Sequence, residues 1–103
     1  MEYVDVASFE ALPAHRGWPV WVDGRSIALF RVGEAVHAIE NDCPHAGSAL
    51  SGGELEGCVV RCPSHGLAFD VCTGKMRGGG LTVPTYPVRI ERGRVHVQIS
   101  SKG

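Results

Sequence analysis

The chain has 103 residues, enough for one domain around a modest core. An apolar fraction of 44% and a charged fraction of 20% are ordinary for a globular protein, and a net charge of −1 removes the electrostatic case for nucleic-acid or membrane partners. No apolar run approaches the ~20 residues of a spanning helix, and Met1-Glu2-Tyr3-Val4-Asp5 reads as neither a signal nor a transit peptide. The expectation is a soluble cytoplasmic protein whose four cysteines are reduced or metal-bound, not a disulfide framework.

Short β-rich runs recur between turn signals, the pattern of an antiparallel, all-β fold. Tyr3 to Val6 predicts a first strand, and Ser8 to Leu12 one helical turn that Pro13 stops. Trp18 to Val22 and Ser26 to Val32 flank Asp23-Gly24-Arg25, whose Asp-Gly step signals a hairpin. Gly33-Glu34 turns the chain into a strand over Ala35 to Glu40. Val59 to Arg61 and Leu67 to Val71 are the expected arms of a second hairpin. Val88 to Glu91 and Val95 to Ile99 alternate around Arg92-Gly93, which should put Val95, Val97 and Ile99 inward and Arg94, His96 and Gln98 outward. Absence of repeats, linkers or sustained helical periodicity makes residues 1–103 a single domain.

Charge is uneven along this scaffold. No Lys or Arg occurs from Val32 to Val60, where Glu34, Glu40, Asp42, Glu54 and Glu56 lie; after Thr73 the balance reverses, with Glu91 the one acid. This reads as two differently solvated surfaces, with an acidic zone that orients a partner as the sharper alternative.

The chemistry lies between Cys43 and Gly66. Cys43-Pro44-His45 is followed, after 16 residues, by Cys62-Pro63-Ser64-His65-Gly66. Each loop offers one thiolate and one imidazole, so a metal site is the first hypothesis. Pro44 and Pro63 stiffen the loops, lowering the entropy lost on capturing a metal centre, while Gly47 and Gly66 permit close backbone approach. Three readings compete. A structural zinc site uses the same donors but commonly groups Cys with Cys and His with His. One Cys and one His per loop suits a two-iron cluster in which two Cys hold one iron and two His the other. Incidental placement would leave the paired prolines, histidines and glycines without a cause.

With these residues in view, Cys43-x-His45 and Cys62-x-x-His65-Gly66 resemble the ligand signature of Rieske [2Fe–2S] proteins. Phe69-Asp70, Thr73-Gly74 and Tyr86-Pro87-Val88 are similar to positions in small Rieske ferredoxins, so the likeness spans nearly the whole chain, although only Cys43 to Gly74 is specific. The resemblance implies a Rieske-type antiparallel β-sandwich with a smaller cluster-binding subdomain at about residues 41–74. It implies one [2Fe–2S] cluster held by Cys43, His45, Cys62 and His65, with a proline-bearing loop, Gly78 to Pro84, shielding it. His45 and His65 are expected near the surface, as the docking face for electron exchange.

Two ferric ions, two sulfides, two thiolates and two neutral imidazoles sum to zero, whereas an all-thiolate cluster starts at two negative charges. The mixed cluster is therefore easier to reduce, consistent with a Rieske range of roughly −150 to +300 mV against about −400 mV for plant-type ferredoxins. High-potential respiratory Rieske proteins carry an inter-loop disulfide where this chain has Ser48 and Ser64. They also carry serine and tyrosine hydroxyl donors where this chain has Leu67 and Phe69.

Cys58 and Cys72 lie outside the signature. Folding the hairpin about Ser64 and His65 sets them roughly opposite each other, as buried free thiols, with a disulfide as the alternative. His15 is expected in a loop and His37 and His96 on strand surfaces. Trp18, Trp21 and Phe30 are expected in the core or on sheet faces. Gly78-Gly79-Gly80 lacks the lysine and helix of a phosphate loop.

A terminal oxygenase needs a further large domain for a mononuclear iron, for which this chain has no room. The reading is a one-electron carrier, not an enzyme. By resemblance it is the ferredoxin component of a bacterial aromatic ring-hydroxylating dioxygenase system. A monomer, it would take electrons from an NAD(P)H-dependent flavin reductase and pass them to the terminal oxygenase. The alternatives are a Rieske-like small subunit of an assimilatory nitrite reductase and, more remotely, a structural zinc module.

With the hydroxyl donors missing, the expected reduction potential is low in the Rieske range, about −150 mV or somewhat above. It should fall with rising pH in the alkaline region, because the distal imidazole nitrogens lose protons more easily when the cluster is oxidised. Voltammetry across pH checks both, and a potential flat from neutral to strongly alkaline pH would contradict the second.

Overall fold

The computed structural model describes residues 2–43, 48–63 and 66–99. Among these, ten strands form three antiparallel sheets. The first joins β1 (Glu2–Ser8), β10 (Arg94–Ile99) and β9 (Val88–Glu91) in that order. The second runs β2 (Trp18–Val22), β3 (Arg25–Val32), β4 (Ala35–Glu40), β8 (Thr85–Tyr86). The third, small sheet is β5 (Glu54–Glu56), β6 (Val59–Arg61), β7 (Ala68–Asp70). The expected helical turn is a 3₁₀ turn at Phe9–Ala11, and a second one forms at Leu50–Gly52.

Turn chemistry sets the tight hairpins. Asp23 and Gly24 have φ of 51° and 79°, and Arg92 and Gly93 have 52° and 76°. Two consecutive positive φ values define the turn whose twist matches antiparallel strands. The register that follows pairs Val22 with Arg25 and Glu91 with Arg94. Val95, Val97 and Ile99 are buried, as their alternation requires, while Arg94 is exposed and His96 and Gln98 are half-buried.

Strand β3 explains the layering. Its Ile27-Ala28-Leu29-Phe30 run is buried throughout, so both faces of the strand are covered. Ile27 and Leu29 join one core with Ala7, Val20, Val22, Val36, Ala38, Val95 and Val97, between the first two sheets. Ala28 and Phe30 join a second core with Ile39, Cys43, Leu50, Val60, Cys62 and Phe69, between the central sheet and the small one. The central sheet is thus the middle of three layers.

Of the three aromatics expected in the core or on sheet faces, Phe30 takes the core and Trp18 and Trp21 sheet faces. The two tryptophans lie on β2, the edge of the central sheet, and are 38% and 67% exposed. The edge position also accommodates Pro19, which has no N–H to give a neighbouring strand.

Phe30 is fully buried, and a β-carbon added at Gly17 would come within 2.8 Å of its ring. Phe30→Ala should therefore cost about 3–5 kcal/mol of unfolding free energy. Urea denaturation reads this as a lower midpoint at unchanged slope; an unshifted midpoint would contradict the second core.

Candidate metal centre

The first loop leaves β4 at Glu40 and is closed at its base by backbone bonds. The Cys43 N–H donates to the Ser48 carbonyl at 2.8 Å, the Leu50 N–H to Asn41 at 2.6 Å, and Asp42 bridges to Ala49. Asn41 is the fastening point, although it is polar and only 4% exposed. Its side-chain oxygen accepts the Ser51 N–H at 2.8 Å, its amide nitrogen donates to Ser26 Oγ at 2.9 Å, and its own N–H donates to the Ser26 carbonyl at 3.0 Å. One side chain thereby ties the root of the loop to β3 and to the Leu50 turn.

The second loop is the tip of the β6–β7 hairpin. The Cys62 N–H donates to the Leu67 carbonyl at 2.6 Å, and the Gly66 N–H returns to the Cys62 carbonyl at 3.0 Å. Arg61 Nη1 also donates to the Gly66 carbonyl at 3.4 Å. Gly66 adopts φ of 71°, the backbone freedom expected of it.

Cys43 and Cys62 are each 2% exposed and belong to the same core cluster, so both thiols are withdrawn from water on one side of the molecule. His45 and His65 lie outside the described residues, as do Pro44, Gly47 and Ser64. Among the described residues no three His, Cys, Asp or Glu side chains converge as a metal site.

The segment after β7 folds back on that strand, where the Asp70 N–H donates to the Lys75 carbonyl at 2.9 Å and the Arg77 N–H to the Ala68 carbonyl at 2.7 Å. Asp70 Oδ1 accepts the N–H groups of Cys72 and Thr73 at 2.8 and 3.3 Å, forming a side-chain-capped turn. The Gly74 N–H closes it onto the Asp70 carbonyl at 2.7 Å, and a β-carbon at Gly74 would collide with the Val83 carbonyl. These contacts give Asp70, Thr73 and Gly74 of the recognised pattern their physical reason. Residues 78–84 then return to the central sheet, where the Glu40 N–H donates to the Pro84 carbonyl at 2.9 Å; Val83 is buried and Leu81 exposed. Next, Tyr86 donates its hydroxyl to Glu40 Oε1 at 2.9 Å. Burial raises this phenol above its ordinary value, Glu40 adding to the rise and Arg25 opposing it, so it stays protonated as a donor.

Leu67 and Phe69 bring no hydroxyl to the hairpin tip; Phe69 is fully buried as pure packing. The expectation of two buried thiols at Cys58 and Cys72 needs correction. Both are free, but Cys58 is half-buried and Cys72 exposed. The Val71 N–H, not that of Cys72, donates to the Cys58 carbonyl at 2.8 Å, because the Asp70 turn carries Cys72 off the strand line. His37 is half-buried, with its Nε2 3.4 Å from Cys72 Sγ.

A family profile for the Rieske-like [2Fe-2S] domain matches residues 2–98, and the chain belongs to that family. The chain is 39% identical over 99 residues to the ferredoxin component of the naphthalene 1,2-dioxygenase/salicylate 5-hydroxylase systems of a Ralstonia species, covering 94% of this chain and 95% of that one. Among solved structures it is similar to the ferredoxin in a complex of reduced oxygenase and oxidized ferredoxin of carbazole 1,9a-dioxygenase. That match has a TM-score of 0.84 and 32% identity, covering 92% of this chain and 100% of the other. It is also similar to a protein named as an NADH-dependent nitrite reductase small subunit from Mycobacterium tuberculosis, with a TM-score of 0.87 and 29% identity, covering 96% of each chain. The donor chemistry fits the family's cluster: two buried thiols sit on two loops, each closed at its root by short backbone bonds.

Asn41 gave no signal in the sequence, where it reads as an ordinary loop residue. Asn41→Ala leaves the Ser51 N–H without its acceptor in a buried setting and should cost about 1–3 kcal/mol. The purified holoprotein should then bleach faster on warming than wild type. Equal bleaching rates would contradict the fastening role.

Proposed function

We propose that this chain is a soluble, cytoplasmic, monomeric one-electron carrier that serves an aromatic ring-hydroxylating dioxygenase system. In this reading an NAD(P)H-dependent flavin reductase reduces it, and it passes single electrons to a terminal oxygenase. Cys43 and Cys62 hold the inner iron of a [2Fe–2S] cluster and His45 and His65 the outer one, within a single domain over residues 1–103 whose cluster-binding subdomain spans about 41–74. When bound, the cluster takes up and gives back one electron.

The chain's own part is to hold and insulate. Its backbone bonds fix the two loop roots, its second core excludes water from the thiol side, and Leu67 and Phe69 offer no hydroxyl donor to the added electron. No helix of the described residues is long and apolar enough to cross a membrane.

The observation that carries the reading is end-to-end similarity to a dedicated dioxygenase ferredoxin, 39% identical across 94% of this chain and 95% of its relative. The likeness to a nitrite reductase small subunit keeps one alternative in view, in which the same domain is a fixed subunit. Its lower identity, 29%, makes it the weaker reading.

Reconstitution separates the two. With an NADH-fed flavin reductase and the oxygenase of a naphthalene-type system, product formation should require this chain and be lost with Cys62→Ser, which should also remove the visible iron–sulfur colour. A coloured wild-type protein that no flavin reductase reduces, and that copurifies tightly with a sirohaem protein, would favour the nitrite reductase reading.

A further inference from the structure

Away from the ligand loops, the fold gathers two thiols and an imidazole that electron transfer does not use. Cys58 stands just before β6 and Cys72 just after β7, at the foot of the hairpin whose tip bears Cys62. The Val71 N–H bond to the Cys58 carbonyl closes this foot at 2.8 Å, and the Asp70-capped turn then carries Cys72 out of line. The Cys72 thiol comes to rest beside Cys58, with His37 Nε2 of β4 3.4 Å away on its other side. An open cleft of about 470 Å³, lined by His37, Val71, Cys72, Tyr86 and Val88 among others, gives access to Cys72. That volume is within the ~300–1,000 Å³ of small-molecule sites.

We propose that Cys58 and Cys72 form a reversible disulfide by exchange with a low-molecular-weight disulfide, with His37 assisting ring closure. Desolvation, then the neighbouring Cys58 thiol and the Asp70 carboxylate, push the Cys72 thiol up to about 11. Cys72 therefore holds its proton until His37 takes it, and the first attack is assigned to Cys58, whose half-buried thiol lies beside it. The Cys58 thiolate attacks one sulfur of oxidised glutathione, forming a Cys58–glutathione bond and expelling one glutathione thiolate. Cys72 then passes its proton to Nε2 of His37, which accepts it in the tautomer that carries its proton on Nδ1, and attacks the Cys58 sulfur, expelling the second thiolate. The two cysteines lose two electrons, oxidised glutathione gains them, and the two released protons end on the two glutathione thiols.

Such a bond ties the foot of the hairpin without touching Cys43 or Cys62. The opposite partner of Cys58 across the hairpin foot is Val71, and Cys72 is the next residue, so what brings the two sulfurs together is the Asp70-capped turn, not the strand register.

The test incubates anaerobically purified holoprotein with oxidised glutathione, quenches by alkylation and maps peptides by mass without reductant. The expected result is a Cys58–Cys72 linked peptide that dithiothreitol abolishes, formed while the iron–sulfur absorption persists. Cys72→Ser should stop at a glutathione adduct on Cys58. His37→Gln should accumulate that adduct and close several-fold more slowly. Quantitative alkylation of both thiols in oxidant-treated wild type would overturn the proposal, as would linkage to Cys43 or Cys62 accompanied by bleaching. Unchanged closure in His37→Gln would overturn the part given to His37.

Discussion

Burial of β3 on both faces is the constraint on which the rest depends. A strand with the run Ile27-Ala28-Leu29-Phe30 cannot leave either face in water without exposing large apolar side chains, each worth about 1.5–3 kcal/mol when buried. One face is covered by the sheet of β1, β9 and β10, which brings both ends of the described chain together. The other face must be covered by something, and what covers it is the small sheet with the two cysteine-bearing loops. The metal-binding chemistry is therefore built into the second half of the hydrophobic core.

That arrangement matches what a cluster of this family requires. Its thiolates need a dry, fixed setting, and Cys43 and Cys62, the two cysteines proposed to supply them, pack with Phe30, Leu50, Val60 and Phe69. Fixing the loops costs backbone entropy, roughly 1–2 kcal/mol per residue. Short loop-root hydrogen bonds and the buried Asn41 offset part of it. The same packing bears on redox behaviour. Fully buried Phe69 fills space with a side chain that carries no hydroxyl, which is the basis for the low potential expected of a cluster held there.

Features governed by local chemistry were legible in the sequence. Asp23-Gly24 and Arg92-Gly93 mark their turns because few residue pairs accept two successive positive φ values. Residues 95–99 declare their inward face because alternation has a period of two. The cysteine–histidine pairs point to a metal centre by donor type and spacing; of those four residues the structure describes Cys43 and Cys62, and it buries both in one core. Features set by tertiary contact were not legible. Strands β5 and β8, of three and two residues, have too little pattern of their own. Trp18 and Trp21 are apolar in any list of letters, yet an edge strand leaves them in solvent. Asn41 looks like loop filler until its three partners are seen. The position of Cys72 depends on whether the Asp70 carboxylate caps the turn, which strand counting does not reveal.

The most direct test of the account is spectroscopic: electronic absorption and low-temperature EPR of anaerobically purified protein, before and after dithionite. The account predicts visible iron–sulfur bands that bleach on reduction, with a rhombic signal whose average g lies below the free-electron value, the mark of a mixed thiolate–imidazole cluster. A colourless, EPR-silent protein carrying stoichiometric zinc would contradict it.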